Sequence, residues 1–499
     1  MSESQPIIPL EERAKVALND EFLRNAIRFT TEKLRNGRKT AAEELGNWQE
    51  WRTQGRAIRL HTIAHLDYYL SLFVTNLRAA GGHVHFASTA EEAVEITMKI
   101  AAAKEAKSVV KSKSMVSEEV HINKFLEKSK IEVVETDLGE YIIQLANETP
   151  SHIIIPAIHK NKEQVADLFS AEAGRRLPAD TQILAGFART KLREKFLKAD
   201  IGMTGCNFAI AESGSMVLFS NEGNGRMVST VPKTQITFMG MERIIPSWED
   251  LETMATLLPR SATGQKLTAY MSAINGPRRQ DDSDGPEDLH VIILDNGRSR
   301  QLGDPEFQEV LNCIRCGACL NACPVYRHVG GHTYGWVYSG PIGAVLTPRL
   351  NDDAEKWGEV ANASSLCGAC WEACPVKIPL HDMLVSIRRR NVEANVTKNS
   401  EKLGMKAFKL ITSNHKLFGR VLKLGRIGQL PLVKDGVIKS QIGPLKGWNR
   451  YRYAPALAQK SFRESWKALD RDLQLEMREM SPEMKKRMQD IVAKRRNQS

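Results

Sequence analysis

Cys313-Ile-Arg-Cys-Gly-Ala-Cys-Leu-Asn-Ala-Cys-Pro324 and, further on, Ser365-Leu-Cys-Gly-Ala-Cys-Trp-Glu-Ala-Cys-Pro375 are the two runs whose reading decides this chain. The first is a complete C-x2-C-x2-C-x3-C-P pattern, in which three closely spaced thiolates of one tight loop hold a cubane iron–sulphur cluster. In two-cluster arrangements the cysteine before proline leaves its own loop and ligates the other cluster. That rule assigns Cys313, Cys316, Cys319 and Cys374 to cluster 1, and Cys323, Cys367 and Cys370 to cluster 2. The second run is one cysteine short, and Ser364 stands where its first cysteine belongs. Three readings stay open there: serine oxygen as fourth ligand, a four-iron cluster with one open or water-bound iron, or a three-iron cluster; a four-iron cluster is preferred. A pair of zinc sites is the rival for the whole stretch, since C-x2-C pairs also bind zinc. A zinc ribbon takes two separated pairs, whereas here each run closes on Cys-Pro.

Working outward, seven of the eight cysteines lie in these runs and only Cys206 is left over, the usage of a metal centre in a reducing compartment rather than a disulphide framework. The start, M-S-E-S-Q-P-I-I-P-L-E-E-R, has no signal-peptide pattern, and no apolar run approaches the roughly 18 residues of a membrane span. The expected location is the cytoplasm, with a peripheral place at the inner face of the membrane as an extension. At 499 residues the chain is long enough for roughly two to four domains. The formal charge of +11 belongs to one end: from Arg388 to Ser499 there are 27 Lys and Arg against 10 Asp and Glu, so the remainder is net acidic.

The predicted organisation is an N-terminal helical segment (1–79), an α/β domain (80–302), a helical two-cluster ferredoxin domain (303–395) and a basic helical C-terminal region (396–499). In the first segment apolar residues recur at helical spacing, as in Ile58, Leu60, Ile63, Leu66 and Tyr69. His61 and His65 have metal-compatible spacing but no accompanying motif, so a structural role is preferred. From Ala80 to Asn296 strands and helices alternate, which argues a largely parallel sheet. Expected strands are His83–Ala87, Ser108–Lys111, Ile131–Glu135, His152–Pro156, Asn207–Ala211, Ser215–Phe219 and His290–Leu294, with helices at Ala90–Ala106 and Glu118–Ser129. Gly202-Met-Thr-Gly205 and Asn221-Glu-Gly-Asn-Gly225 flank an expected hairpin and mark sharp turns or close backbone approach.

Ligands of open α/β sheets collect beyond the carboxyl ends of strands. The candidate cleft residues are therefore Lys111, Ser114, Glu135, Asp137, His159, Glu212, Ser213 and Asn221, weighed against ordinary turn and strand-end duties. Neither G-x-G-x-x-G nor a P-loop stands in the proper place, so a dinucleotide site is not expected. Gly276–Pro286 reads as an exposed excursion before the last strand.

Between the cysteine runs, Val325–Leu366 is 42 residues, too long for a compact ferredoxin. With helices expected at Pro305–Asn312 and Leu380–Glu393, the pattern suggests the helical ferredoxin of respiratory dehydrogenase subunits. Tyr326, Tyr334, Trp336, Tyr338 and Trp371 are expected to pack around the clusters. In the tail, Leu403, Phe408, Leu410, Ile411, Leu417, Phe418, Val421 and Leu422 alternate with Lys402, Lys406, Lys409, Lys416, Arg420 and Lys423. That face suits partner docking or self-packing ahead of a membrane surface. Met480–Gln498 reads as a charged helix.

Together these segments resemble the lactate utilization protein B family, the iron–sulphur proteins of the bacterial L-lactate oxidation system. The resemblance rests on V-V-K-S-K-S-M from Val109, E-V-V-E-T-D-L-G-E-Y-I-I-Q-L from Glu132, P-S-H-I-I-I-P-A-I-H-K from Pro150, G-M-T-G-C-N-F-A-I-A-E-S-G-S from Gly202, and the cysteine runs. It implies a lactate-utilisation domain similar in fold to sugar-phosphate isomerase and CoA-transferase-like α/β domains, and two [4Fe-4S] clusters on the seven cysteines. It also implies work beside two companions, a cysteine-rich heterodisulphide-reductase-like subunit and a second lactate-utilisation-domain protein. It identifies no catalytic residue. The expected function is electron transfer within a multi-protein L-lactate dehydrogenase. The rivals are an oxidoreductase subunit for another 2-hydroxy acid such as glycolate, and a nucleic-acid-binding or regulatory iron–sulphur protein. Against the last, the basic tail has few interleaved aromatics and no recognised binding motif.

Overall fold

The computed structural model describes residues 8–397, 399–439, 449, 452–466, 469, 481–487 and 490. The chain forms two compact units, Met1–Val396 and Thr397–Ser499.

The first unit opens with four helices, α1 (Leu10–Asn19), α2 (Glu21–Leu45), α3 (Trp48–Ala64) and α4 (Leu66–Ala79). Asp20 caps α2 by accepting the Leu23 N–H at 2.8 Å, and Gly46 ends it in a backbone of φ +81°. Its apolar stripe, Ile27, Leu34, Ala41 and Ala42, is buried against residues far along the chain rather than against a local core: Ile27, Trp48 and Ile63 share one apolar cluster with Ile314, Leu320, Val376 and Leu384. His65 interrupts the helical run between α3 and α4, and His61 Nε2 lies 2.9 Å from the Tyr69 hydroxyl.

The α/β layer follows. Its strands are β1 (His83–Ala87), β2 (Ser108–Lys111), β3 (Glu132–Glu135), β4 (Ile201–Thr204), β5 (Phe208–Ile210), β6 (Ser215–Ser220), β7 (Thr234–Gly240), β8 (Ile244–Ile245), β9 (Tyr270–Ile274) and β10 (Asp288–Leu294). Six form a sheet in the order β1-β10-β7-β4-β2-β3, parallel at every pairing, and four form a smaller mixed sheet, β8-β5-β6-β9. The expected α/β class is thus the observed one, and β5–β6 is the expected hairpin.

Four local expectations change. His152–Pro156 is not a strand: the His152 ring nitrogen Nδ1 accepts the N–H groups of Ile154 and Ile155 at 2.9 and 3.2 Å, so these backbone donors fold onto a side chain instead of a ladder. Gly202–Thr204 lies inside β4 and not in a turn, while the expected close backbone approach is present there: a Cβ at 202 would meet the Val228 carbonyl oxygen at 1.9 Å. The helix expected over Glu118–Ser129 is two, Met115–Glu119 and Ile122–Lys128, broken at His121 with φ +53°. β7, unexpected, is a fully buried central strand whose polar side chains are partly satisfied inside the sheet: Gln235 Nε2 donates to Thr204 of β4 and to Thr237 at 3.0 and 3.1 Å, while Gln235 Oε1 has no partner among the described residues.

From Gln308 onward the chain is helical, with short turns at Gln308–Asn312, Ala318–Ala322, Gly358–Asn362 and Ala369–Ala373 around the cysteines and longer helices at Gly340–Asn351 and Leu380–Glu393.

In the second unit, helices Asn399–Thr412 and His415–Gln429 precede a three-stranded sheet of Val433–Lys434, Val437–Ile438 and Ala454–Pro455. Neither helix buries a residue fully; Leu403, Phe408, Leu410 and Leu424 are exposed beside the lysines. Of the Met480–Gln498 run, residues 482–487 are helical, and all but 481–487 and 490 lies outside the described residues.

Candidate metal centre

The two cysteine runs fold as copies of one loop. Each has a non-glycine residue at positive φ before its C-G-A-C segment, Arg315 (+60°) and Leu366 (+55°), and a left-handed glycine inside it, Gly317 (+73°) and Gly368 (+79°). Each then makes one short helical turn and ends on a cysteine in extended backbone, Cys323 (φ −74°, ψ 119°) and Cys374 (φ −69°, ψ 120°). Glycine is required where the chain reverses within two residues of a ligand on either side.

Cys313, Cys316 and Cys319 of the first loop and Cys374 of the second line one cavity, closed by Ile153, Ile314, Ile342, Val376, Ile378 and Leu380. Cys323, Cys367 and Cys370 form the other group, near enough that the Cys370 thiol is influenced by both partners. Cys370 also acts on Cys319, so the two groups adjoin. Burial pushes the Cys370 thiol up to about 12 and Cys374 up to about 11, and raises Cys316, Cys319 and Cys323. Cys367 differs: it is exposed, and the Ala369 N–H lowers it.

Crowded, buried thiols of this kind are poor thiolates by themselves and become good ones against cationic iron. Among the described residues, several buried N–H groups beside them have no hydrogen-bond partner: Nδ2 of Asn312, Nε and Nη1 of Arg315 and Nε of Arg38; the Tyr334 hydroxyl meets the Cys323 sulphur. Such donors suit the anionic sulphur of an inorganic cluster. Zinc fits less well. A zinc site takes four donors of its own, whereas here seven thiols divide into adjoining groups of four and three, each run lending its last cysteine to the other. The residues therefore fit iron–sulphur clusters.

Arginines missed in the sequence surround the first group. Arg38 and Arg52 act on Cys316 and Cys374, and Arg59, Arg243 and Arg315 on Cys313. Arg52 donates from Nε to the Cys374 carbonyl and from Nη2 to the Trp371 carbonyl, both at 2.9 Å. Arg315 lies 4.5 Å over the Tyr338 ring, and Arg298 bridges Glu119 and Glu242 at 2.9 and 2.7 Å. Tyr326, Tyr334 and Tyr338 are fully buried, as the packing role requires, but Trp371 is 41% exposed.

The candidate cleft residues are spread over several places. At the carboxyl ends of β2 and β3, Lys111 is fully buried and paired with Glu118 and, at 2.5 Å, with Glu135; the two carboxylates outweigh the burial that would discharge it. Ser114 and Asp137 cap helices, accepting Ser117 N–H at 3.2 Å and Gly139 N–H at 3.1 Å. Asn221 binds Gln265 at 2.8 Å. Glu212 and Ser213 sit in the β5–β6 turn of the other sheet, bonded to Trp248 N–H and to Ser215. His159 lines a different cavity, of about 650 Å³, with His121, His332, Glu148, Lys160 and Trp336. There His159 Nε2 meets Glu148 at 2.5 Å and burial holds the imidazole below its ordinary pKa. A neutral imidazole oriented by a carboxylate can accept a proton. Two groups near Asp137 were also missed: Glu140, buried with Oε1 unpartnered and raised well above the carboxylate range by burial, and Glu222, pushed to about 7 by burial and then by Asp137. The leftover Cys206 is a partly buried thiol pushed up to about 12 by desolvation.

Family models match in three places: the LUD domain at residues 70–294, the 4Fe-4S dicluster domain at 309–378 and Lactate utilisation protein B, C-terminal, at 389–470. "Lactate utilization protein B" of Shouchella clausii is 52% identical over 93% of this chain and 98% of its own length. The chain belongs to the lactate utilization protein B family. The Bacillus licheniformis and Bacillus subtilis proteins of that name are 53% and 52% identical, each over 91% of this chain and 95% of the relative. A solved structure of a "duf162 family protein" from Deinococcus radiodurans aligns over 46% of this chain and 98% of its own at 15% identity and TM-score 0.27, too weak a likeness to bear on the fold. Membership in the lactate utilization protein B family and the 4Fe-4S domain make this an iron–sulphur protein of lactate utilization.

Proposed function

We propose that this chain is the electron-relaying subunit of a multi-protein L-lactate dehydrogenase, with two [4Fe-4S] clusters on Cys313, Cys316, Cys319 and Cys374 and on Cys323, Cys367 and Cys370. The observation that carries the reading is the exchange of the last cysteine of each run, which joins two thiol groups side by side. When bound, a cluster of this type carries one electron at a time. Lactate to pyruvate releases two electrons and two protons, so the group that breaks the Cα–H bond, takes the pair and splits it belongs to a companion, and two adjoining one-electron sites relay its electrons singly. The chain's own part is to hold the thiolates, exclude water with Tyr326, Tyr334 and Tyr338, and place arginine charge beside Cys313 and Cys374. The neutral His159, oriented by Glu148, is the group we assign to take a proton from a 2-hydroxy acid in its cavity.

The companions are a cysteine-rich heterodisulphide-reductase-like protein and a second lactate-utilisation-domain protein, and the exposed apolar and basic faces of Asn399–Thr412 and His415–Gln429 are the surface we assign to docking. The place of work is the cytoplasm or its membrane face; among the described residues no helix is long and apolar enough to cross a membrane. The test mixes anaerobic oxidised protein with both companions and adds L-lactate or glycolate while paramagnetic resonance follows cluster reduction. Reduction by L-lactate, with loss of growth on L-lactate when the chain is deleted, is expected; reduction by glycolate alone reassigns the substrate, and reduction by neither sinks the proposal.

A further inference from the structure

We propose that the Ser364 hydroxyl oxygen is the fourth protein ligand of the cluster held by Cys323, Cys367 and Cys370. The inference rests on reading that thiol group as a cluster site and names the donor that the site lacks. Superposing the two loops by sequence puts Cys316 on Cys367, Gly317 on Gly368, Cys319 on Cys370 and Cys323 on Cys374, which places Ser364 on Cys313. The backbones agree at each marked position: Arg315 and Leu366 at φ +60° and +55°, Gly317 and Gly368 at +73° and +79°.

The side chains agree as well. The Arg315 N–H donates to Cys313 Sγ at 3.4 Å, and the Leu366 N–H donates to Ser364 Oγ at 3.1 Å. The serine oxygen thus repeats the local geometry of the thiolate that lines the first cavity, including the N–H two residues on. Arg388 fixes the other side of the residue, donating from Nη2 to the Ser364 carbonyl at 2.9 Å and to the Ala361 carbonyl at 3.0 Å. With the carbonyl tied to that helix, the one bond the hydroxyl oxygen receives among the described residues is the Leu366 N–H, the counterpart of the Arg315 N–H at Cys313.

The neighbouring Ser365 is the competing oxygen. Its hydroxyl serves the Cys367 sulphur, and it corresponds to Ile314, which is no ligand. Ligation replaces the Ser364 O–H bond by an iron–oxygen bond; the proton leaves to water and no electron moves. Oxygen is a harder donor than thiolate, so exchanging it for cysteine changes the character of that corner without moving it.

The test uses the full chain, reconstituted anaerobically with 57Fe, as wild type, Ser364→Ala, Ser364→Cys and Ser365→Ala, read by iron count, Mössbauer and paramagnetic resonance before and after mild oxidation. The wild type should hold about eight iron atoms per chain and keep them. Ser364→Ala should lose one on oxidation and develop a three-iron signal, Ser364→Cys should keep all with a changed second-cluster spectrum, and Ser365→Ala should match the wild type. The unchanged signal of the first cluster reports that each variant is folded. Identical spectra and iron counts for Ser364→Ala and wild type overturn the inference, as does a three-iron signal in the wild type. About four iron atoms in the wild type would instead refute the second cluster itself.

Discussion

Around Cys313 and Cys374 the charge balance is set by residues that no spacing rule connects to them. Arg52 sits 322 positions before Cys374 and yet bonds its carbonyl. A cation beside a cluster favours the form that has gained an electron, so with a cluster bound at the first site the arginines would raise its potential. Arg52→Gln should lower that potential by ~1–2 kcal/mol at an effective dielectric near 20, or roughly 40–90 mV for one electron, in a redox titration followed by paramagnetic resonance; Arg52→Lys should recover part of it. Glu222 supplies a pH dependence of the opposite kind. Its folded pKa of about 7 stands above the ordinary 4.5 because of burial, so the folded state binds the extra proton and stability is lost as pH rises from about 4.5 to 7. Glu222→Gln should therefore melt at the wild-type temperature at pH 4.5 and at a higher one above pH 7, by less than the full shift implies because the side chain is partly open to solvent. Sequence spacing found the thiols because a ligand loop is local. It could not find the arginines or Glu140, whose environment is made by elements far apart in the chain.

At the scale of elements, the strands with β-branched apolar runs were legible, while β7 was not, because its Thr and Gln look like surface residues and are paired only inside the sheet. The segment Ser151–Lys160 misled for the converse reason: an Ile-Ile-Ile run looks like a strand, but it is a buried loop that carries Ile153 into the cluster cavity and holds His152 to Asn321 at 3.0 Å. Its contact with the cysteine region is tight, since a Cβ at Gly331 would meet the Ser151 carbonyl oxygen at 1.8 Å. Gly331→Ala should cost at least about 2 kcal/mol and release iron at lower temperature. Gly404→Ala, in an exposed helix with nothing within 4 Å of the new carbon, should stabilise that helix by about 1 kcal/mol. Melting curves of the two variants, read with iron-linked absorbance, separate a steric contact from mere helix propensity.

For the whole molecule, α2 and α3 have no core of their own and are buried against the cysteine loops. A chain lacking residues 10–64 should accordingly fail to retain iron, whereas one ending at Val396 keeps a complete compact unit and should retain iron and sulphide in full. Anaerobic iron and sulphide counts on both truncations check this. The class of the fold was visible in the alternation of strands and helices, but this dependence of the last third on the first was not, since periodicity reports which face is apolar and never what covers it.

That dependence has a cost during translation. Arg52 emerges from the ribosome 322 residues before Cys374, an interval of roughly 16–64 s at ~5–20 residues per second. Throughout it, the nascent helices present naked greasy faces, and over its last 55 residues the three thiols up to Cys319 lack the fourth. Chaperone custody early, and metal delivery only as the polypeptide nears completion, are the order of assembly this architecture imposes.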